Sequence, residues 1–272
     1  MFSQEIISDK AFQSFKRFIY DVAGIDLSDE KKTLVTSRLA RRLRHYDLND
    51  FAQYFALVEK DQPAGERQIC IDLLTTNETY FFREPEHFEF LKAEVLAKWR
   101  GGNKALRIWS AASSSGEEAY SIAMTLADKL GTRPWEVVGS DISSRVLKKA
   151  ANGHYPMSRI EGITKDYLRR FCLQGMGEYA GTLLLNKAVR SRVRFFPANL
   201  KEPLPNVGLF DVIFLRNVLI YFDADTKAHI ARQLATKLVP GGYLIIGHSE
   251  SLKGLSIGGL EVQRPTIYQR PL

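Results

Sequence analysis

Two rhythms of hydrophobic and polar positions divide this chain. Over residues 1–74 the apolar positions return at helical spacing, with Phe12, Phe15, Phe18 and Ile19 in one set and Phe51, Tyr54, Phe55 and Val58 in another. Such spacing predicts amphipathic helices. From residue 105 the rhythm changes to short apolar runs bounded by turns: LRIWSAA, WEVVGSD, VRFFPAN, FDVIFLR and GGYLIIG. Helical stretches follow the first, second and fourth of these, at 117–130, 143–152 and 225–238. Apolar runs alternating with helices predict an α/β domain on a mostly parallel, doubly wound sheet. The closing TIYQR (266–270) is expected to add an antiparallel strand.

Two segments fit neither rhythm. TTNETYFFRE (75–84) is polar, then aromatic, then charged, and it stops at Pro85. A residue before proline disfavours helix, so Glu84 should end this segment, which reads as a hinge. Pro85 should open a helix that runs to Arg100 and is closed by Gly101 and Gly102. Between Gly153 and Arg192 the chain is too long for a loop, with glycines at 175, 177 and 181 and an apolar run at 183–185. This predicts a small β-subdomain inserted over 154–192. The expected organisation is a helical N-terminal domain, 1–74, and a sheet domain, 75–272.

Composition narrows the setting. At 272 residues and 45% hydrophobic, the chain can build real cores. Cys70 and Cys172 match no metal or disulfide framework, so a reducing cytoplasm and no metal are expected. MFSQEIISDK lacks the marks of a secretory signal, and the best apolar run, Val212 to Phe222, is interrupted by Arg216 and Asn217. No membrane insertion is therefore expected. The net charge of +7 suits an acidic partner. A helix capped by Ser28 and running through Tyr46 would carry Lys31, Arg38, Arg41, Arg42, Arg44 and His45 without an acid between Lys31 and His45. That face is read as a docking surface. Interleaved aromatic and basic residues of the kind that stack single strands are absent, so nucleic acid is not expected as partner.

The candidate chemistry lies at the strand ends, where open α/β sheets bind ligands. Ser113–Glu118, Ser140–Asp141, Asn199, Arg216–Asn217 and His248–Ser249–Glu250 end the five runs in order. The first turn, within WSAASSSGEEAYSIAM (109–124), is instructive. A dinucleotide site needs glycines there so that pyrophosphate can meet a helix N-terminus. Here one glycine is followed by Glu117 and Glu118, which repel a diphosphate and suit an ammonium or sulfonium group. An acid after the second strand suits ribose hydroxyls. A ligand with ribose, adenine, an amine and a positive sulfur, but no phosphate, is S-adenosylmethionine. Spacing leaves open which of Glu117 and Glu118 meets the amine.

Five motifs together, TTNETYFFRE, WSAASSSGEEAYSIAM, GSDIS (139–143), FDVIFLRNVLIYFD (210–223) and GGYLIIGHSESL (241–252), resemble the CheR family of chemotaxis-receptor methyltransferases. The resemblance implies a class I methyltransferase fold, with a Rossmann-like sheet, a helical N-terminal domain and an inserted β-subdomain. It implies methyl transfer from S-adenosylmethionine, leaving S-adenosylhomocysteine, to glutamate carboxylates on the cytoplasmic helical region of chemoreceptors. The methyl esters serve sensory adaptation. By position, Asn77, Thr79, Arg83, Glu118, Asp141, Asn199, Leu200, Arg216 and Asn217 would bind the cofactor, with Glu118 on the amine and Asp141 on the ribose. Arg83 and Tyr221 sit beside these motifs and are the candidates for orienting the acceptor. Arg38, Arg41, Arg42 and Arg44 would dock the receptor. The chain is expected to act as a cytoplasmic monomer recruited to receptor arrays, with room for a regulatory protein.

Ser113 stands where the family often has cysteine or alanine, a harmless change in a turn of small residues. Members that grip a receptor's C-terminal pentapeptide use subdomain arginines, and those places here hold Gln174 and Leu184. Tethering by a pentapeptide is therefore not expected. Two other readings compete: a methyltransferase acting on RNA or a small molecule, and a non-catalytic adaptor that binds S-adenosylmethionine.

Overall fold

The computed structural model describes residues 6–101 and 104–272. Four α-helices form the N-terminal region: α1 (Asp9–Ala23), α2 (Lys32–His45), α3 (Phe51–Lys60) and α4 (Glu66–Leu74). Their apolar faces meet in one core around Phe12, Phe15, Leu39 and Tyr54. Ser8 caps α1, accepting a bond from the Ala11 N–H, and Gly24 ends it in the left-handed region. Ser28 opens a short 3-10 turn before α2 and makes no side-chain cap bond, so the helix begins later than its sequence position suggests.

After the hinge, α5 (Pro85–Phe90) widens into a π-helical turn over Leu91–Leu96. The expected run to Arg100 is corrected here: with Ala97 N–H bonded to the Lys92 carbonyl, five residues back, the regular helix has already come apart. Gly101 adopts φ 76°, and Gly102 lies outside the described residues.

The sheet domain follows in the order β1 (Leu106–Ser110), α6 (Glu117–Leu130), β2 (Trp135–Asp141), α7 (Ser144–Asn152), then the insertion. The insertion holds β3 (His154–Pro156), α8 (Lys165–Phe171), β4 (Cys172–Gln174), β5 (Thr182–Leu185) and α9 (Lys187–Arg190). The main chain of elements resumes with β6 (Val193–Pro197), β7 (Phe210–Leu215), α10 (Ala224–Ala235), β8 (Leu238–Ile246), β9 (Glu261–Arg264) and β10 (Ile267–Gln269). The seven-stranded sheet has the order β6-β2-β1-β7-β8-β10-β9. Its first five strands are parallel, and β10 runs antiparallel beside β8. The three inserted strands pair antiparallel in the order β3-β5-β4.

The chain passes outward from β1 to β2 and β6 and then returns to the other side of β1 with β7. The carboxyl ends of β1 and β7 therefore flank a topological switch point, where a crevice opens. The N-terminal region is fastened over that crevice. Asn199 Nδ2 donates to the Val22 carbonyl at 2.6 Å, Lys201 Nζ to the carbonyls of Tyr20 and Asp21, and Tyr20 Oη to Asp223 at 2.5 Å. On the other side Ser144 Oγ donates to Asp72 at 3.0 Å.

The basic face of α2 divides in the structure. Arg41 and Arg44 are exposed. Arg42 is not available for docking. Its Nη2 reaches Glu66 Oε2 at 2.5 Å and its Nε reaches Oε1 at 2.8 Å, while Tyr46 and Tyr54 hydroxyls donate to the same carboxylate at 2.7 Å. Glu66 is buried, and this charge needs Arg42 inside the domain. Arg38 also turns inward, donating to the Leu74 and Thr75 carbonyls and to Thr76 Oγ1.

Candidate active site

A cavity of about 470 Å³ occupies the crevice. Asn77, Thr79 and Arg83 line it from the hinge, Glu118 from α6, Asp141 from β2, Asn199 and Leu200 after β6, and Arg216, Asn217 and Tyr221 after β7. Residues scattered over 145 positions of sequence thus meet because the sheet brings its strand ends together. Arg38 joins them, while Arg41, Arg42 and Arg44 do not.

The first turn is shaped by backbone conformation. Ser114 (φ 48°) and Gly116 (φ 98°) are both left-handed. A Cβ at Gly116 would come within 2.9 Å of Ala150 Cβ and of Tyr155 Oη, so only glycine fits there. The turn sends the two glutamates in different directions. Glu118 lines the cavity; Glu117 does not. Glu117 accepts instead from Arg159 Nη2 of the insertion at 3.0 Å and from Ser115 Oγ at 2.7 Å. Arg159 also donates to the Thr79 carbonyl, which ties the insertion to the hinge.

Glu118 accepts from Ser110 Oγ at 2.7 Å and from Arg216 Nη1 at 3.1 Å. Burial pushes its carboxyl above the ordinary value, against the pull of Arg216 and Ser110. A cation entering the cavity would relieve that desolvation. Asp141 accepts backbone N–H groups from Ser114 and Ser143, each at 2.9 Å. Its carboxyl is also raised by burial, and each oxygen keeps a lone pair for a hydroxyl. The buried Arg216 Nε finds no partner within the protein, a donor waiting for an acceptor. An ammonium, a diol and a carboxylate are the three polar ends of S-adenosylmethionine, and the donors and acceptors here fit them. Asn199 differs: its amide is bonded to the Val22 carbonyl and the Lys201 N–H, so it builds the wall.

Three parts of the site escape sequence reasoning. Ser110, the last residue of β1, bonds Glu118, and the Ser114 N–H bonds Asp141, with nothing in the sequence to show which acid each meets. Glu84 looks like a helix boundary. Ile25, Leu27, Leu34 and Ser28 of the helical region line the cavity, although that region carries no cofactor motif. Glu84, His87 and His248 bring ligand atoms within 4.8 Å of one another. Glu84 Oε1 accepts from Asn217 Nδ2 and Oε2 from the Arg216 guanidinium, which ties this cluster to the turn after β7.

Known proteins resemble this chain over most of its length. Residues 10–75 match the family model described as CheR methyltransferase, all-alpha domain, and residues 77–261 the one described as CheR methyltransferase, SAM binding domain. The chain is 45% identical over 252 residues to a chemotaxis protein methyltransferase of Escherichia coli strain K12, covering 92% of this chain and 87% of that one. It is 42% identical over 265 residues to the corresponding protein of Salmonella typhimurium, covering 96% and 90%. A chemotaxis protein methyltransferase 2 of Pseudomonas aeruginosa is 42% identical over 243 residues, covering 88% and 86%.

Proposed function

The chain belongs to the CheR methyltransferase family and is an S-adenosylmethionine-dependent methyltransferase, and from that premise we propose that it esterifies glutamate carboxylates on the cytoplasmic helical region of chemoreceptors. The convergence of the hinge and strand-end residues on one cavity carries this reading. When bound, S-adenosylmethionine supplies a methyl group made electrophilic by its sulfonium. Glu118 holds the amine, Asp141 the ribose hydroxyls, and Arg216 an anionic end.

The acceptor needs no base from the protein. A glutamate with an ordinary pKa of about 4.3 is ionised at neutral pH. Its charge is lost on the way to the transition state, so the site gains by lining up the oxygen rather than by solvating it strongly. Arg83 and Tyr221 are assigned that task. Arg83 lies over the Tyr80 ring, with its Nη1 at 3.3 Å from the Glu78 carbonyl, and Tyr221 lines the cavity from the turn after β7. Arg83→Ala is expected to lower kcat by about 100-fold even at saturating cofactor. Recovery of the rate on adding cofactor would reduce Arg83 to a binding residue.

Docking is assigned to Arg41 and Arg44, the exposed arginines of α2, with Arg38 at the cavity wall. The double variant Arg41→Glu, Arg44→Glu should raise the KM for receptor by about 10-fold at low salt, an effect that fades as salt screens it. Cofactor affinity measured by calorimetry should not move. Gln174 and Leu184 lie in the small antiparallel sheet and offer no positive charge to a peptide carboxylate, which favours docking through α2 over a pentapeptide tether.

Transfer of labelled methyl to a receptor cytoplasmic fragment, followed by alkali, tests the whole reading. Carboxyl methylation releases volatile methanol. Label that resists alkali, or that enters RNA or a small molecule instead, would overturn it.

A further inference from the structure

The segment that carries Arg83 meets the segment that carries Tyr221 through the side chains of Glu84 and Arg216. The Glu84 backbone adopts φ 56°, as does that of Phe82. Residues with side chains stay in this left-handed region only where their surroundings enforce it. Here the enforcement is visible. Glu84 Oε1 accepts from Asn217 Nδ2 at 2.9 Å, and Oε2 accepts from Arg216 Nη2 at 3.0 Å and from the His248 N–H at 3.2 Å. Arg216 Nη2 donates as well to the Arg83 carbonyl.

The turn after β7 is gripped from its other flank too. Glu250 accepts from the Asn217, Gly247 and Ile220 N–H groups at 2.9, 2.6 and 3.3 Å. Asn217 itself sits at φ 58°. The strained turn leading to Tyr221 is therefore set between two carboxylates. Glu250 ties it to β8, within its own half of the site. Glu84 alone of the two belongs to the hinge.

We propose that Glu84 is a positioning residue for methyl transfer. Acting through Arg216 and Asn217, it fixes the distance across the cavity between Arg83 and Tyr221. The proposal rests on the assignment of those two residues to the acceptor. Glu118 shares Arg216 with Glu84 but keeps its own bonds to Ser110 and to the other guanidinium nitrogen. Loss of the Glu84 charge should therefore disturb acceptor alignment more than cofactor binding. Burial raises the Glu84 carboxyl, but Asn217 and Arg216 outweigh it and leave it below its ordinary value, so it is ionised wherever the enzyme works.

Glu84→Gln tests this in the full chain. The amide has the size of the acid but turns an N–H toward either Asn217 Nδ2 or the Arg216 guanidinium, both donors. The expected result is a fall of about 100-fold in kcat on receptor fragment, with cofactor Kd from calorimetry changed by less than about threefold. Glu84→Asp keeps the charge with a shorter reach and should recover part of the rate. A kcat equal to wild type would overturn the proposal. Equal losses in kcat and cofactor affinity, or no recovery in Glu84→Asp, would also overturn it and make Glu84 a structural residue. Wild-type protein is assayed alongside. If it forms no alkali-labile ester, the functional reading fails and the Glu84 role with it; if it does and Glu84→Gln matches it, only the Glu84 role falls.

Discussion

Arg216→Ala is expected to abolish measurable cofactor binding and to destabilise the protein by about 3–5 kcal/mol, the usual result of removing one partner from a buried ion pair. Arg216 is 4% exposed and joins two carboxylates, Glu118 at 3.1 Å and Glu84 at 3.0 Å. Without it both lose their counter-charge. Glu118, already raised by burial, would take up a proton and could no longer hold an ammonium. The Arg83 carbonyl would also lose its donor. Calorimetric titration with S-adenosylmethionine and a denaturant melt check the two halves of the expectation separately. Retained affinity would remove Arg216 from the cofactor site. An unchanged melt would show that the two acids are better solvated than their burial implies.

Arg42→Ala should cost about as much, 3–5 kcal/mol, with no direct effect on the site. Glu66 is 1% exposed, and Arg42 is its only cationic partner among the described residues. The pH dependence identifies the cause. In the intact protein burial raises the Glu66 carboxyl, but Arg42 and the tyrosine hydroxyls hold it below its ordinary value. That stabilises the fold above the unfolded pKa and is lost as pH falls through the lower folded value. In the variant, burial should dominate and raise the folded pKa. The penalty is then full at neutral pH and relieved as acid protonates Glu66. Urea melts at several pH values should show the variant approaching the parent as pH falls. A gap that stays constant would mean that Glu66 is not the source. For the same reason, charge reversal at Arg42 cannot test receptor docking: it would unfold the helical region first.

What the sequence disclosed, and what it hid, follow from the range of the interactions involved. The central strands β1, β2 and β7 were legible because a strand covered on both faces must be largely apolar, and α6 was legible from residue 117 to 130 because its glycine and its acids mark the start. The exposed β9 was not, since Glu261–Arg264 has no buried face to impose a period. α8 was missed for a similar reason: only Phe171 of its seven residues is buried. The acids and amides of the site stood out because polar residues at the ends of buried strands are unusual. Their serine partners did not, because a serine at a strand end or in a turn is common. Arg42 and Glu66 lie 24 positions apart, and no local pattern shows that one neutralises the other. The apolar wall of Ile25, Leu27 and Leu34 carries the same signature as a helix core.

That wall makes the helical region one side of the cavity on which the strand-end residues converge. A molecule lodged between Leu34 on one side and Asp141 on the other touches both folding units, so it fastens them together as it binds. Saturating S-adenosylmethionine should therefore stabilise the helical region together with the sheet domain. In the proposed assignment the spent cofactor keeps the amine and the ribose that Glu118 and Asp141 would hold. The helix that carries Arg41 and Arg44 also supplies Leu34 and Arg38 to the cavity wall, so the face proposed for docking and the wall of the site belong to one element.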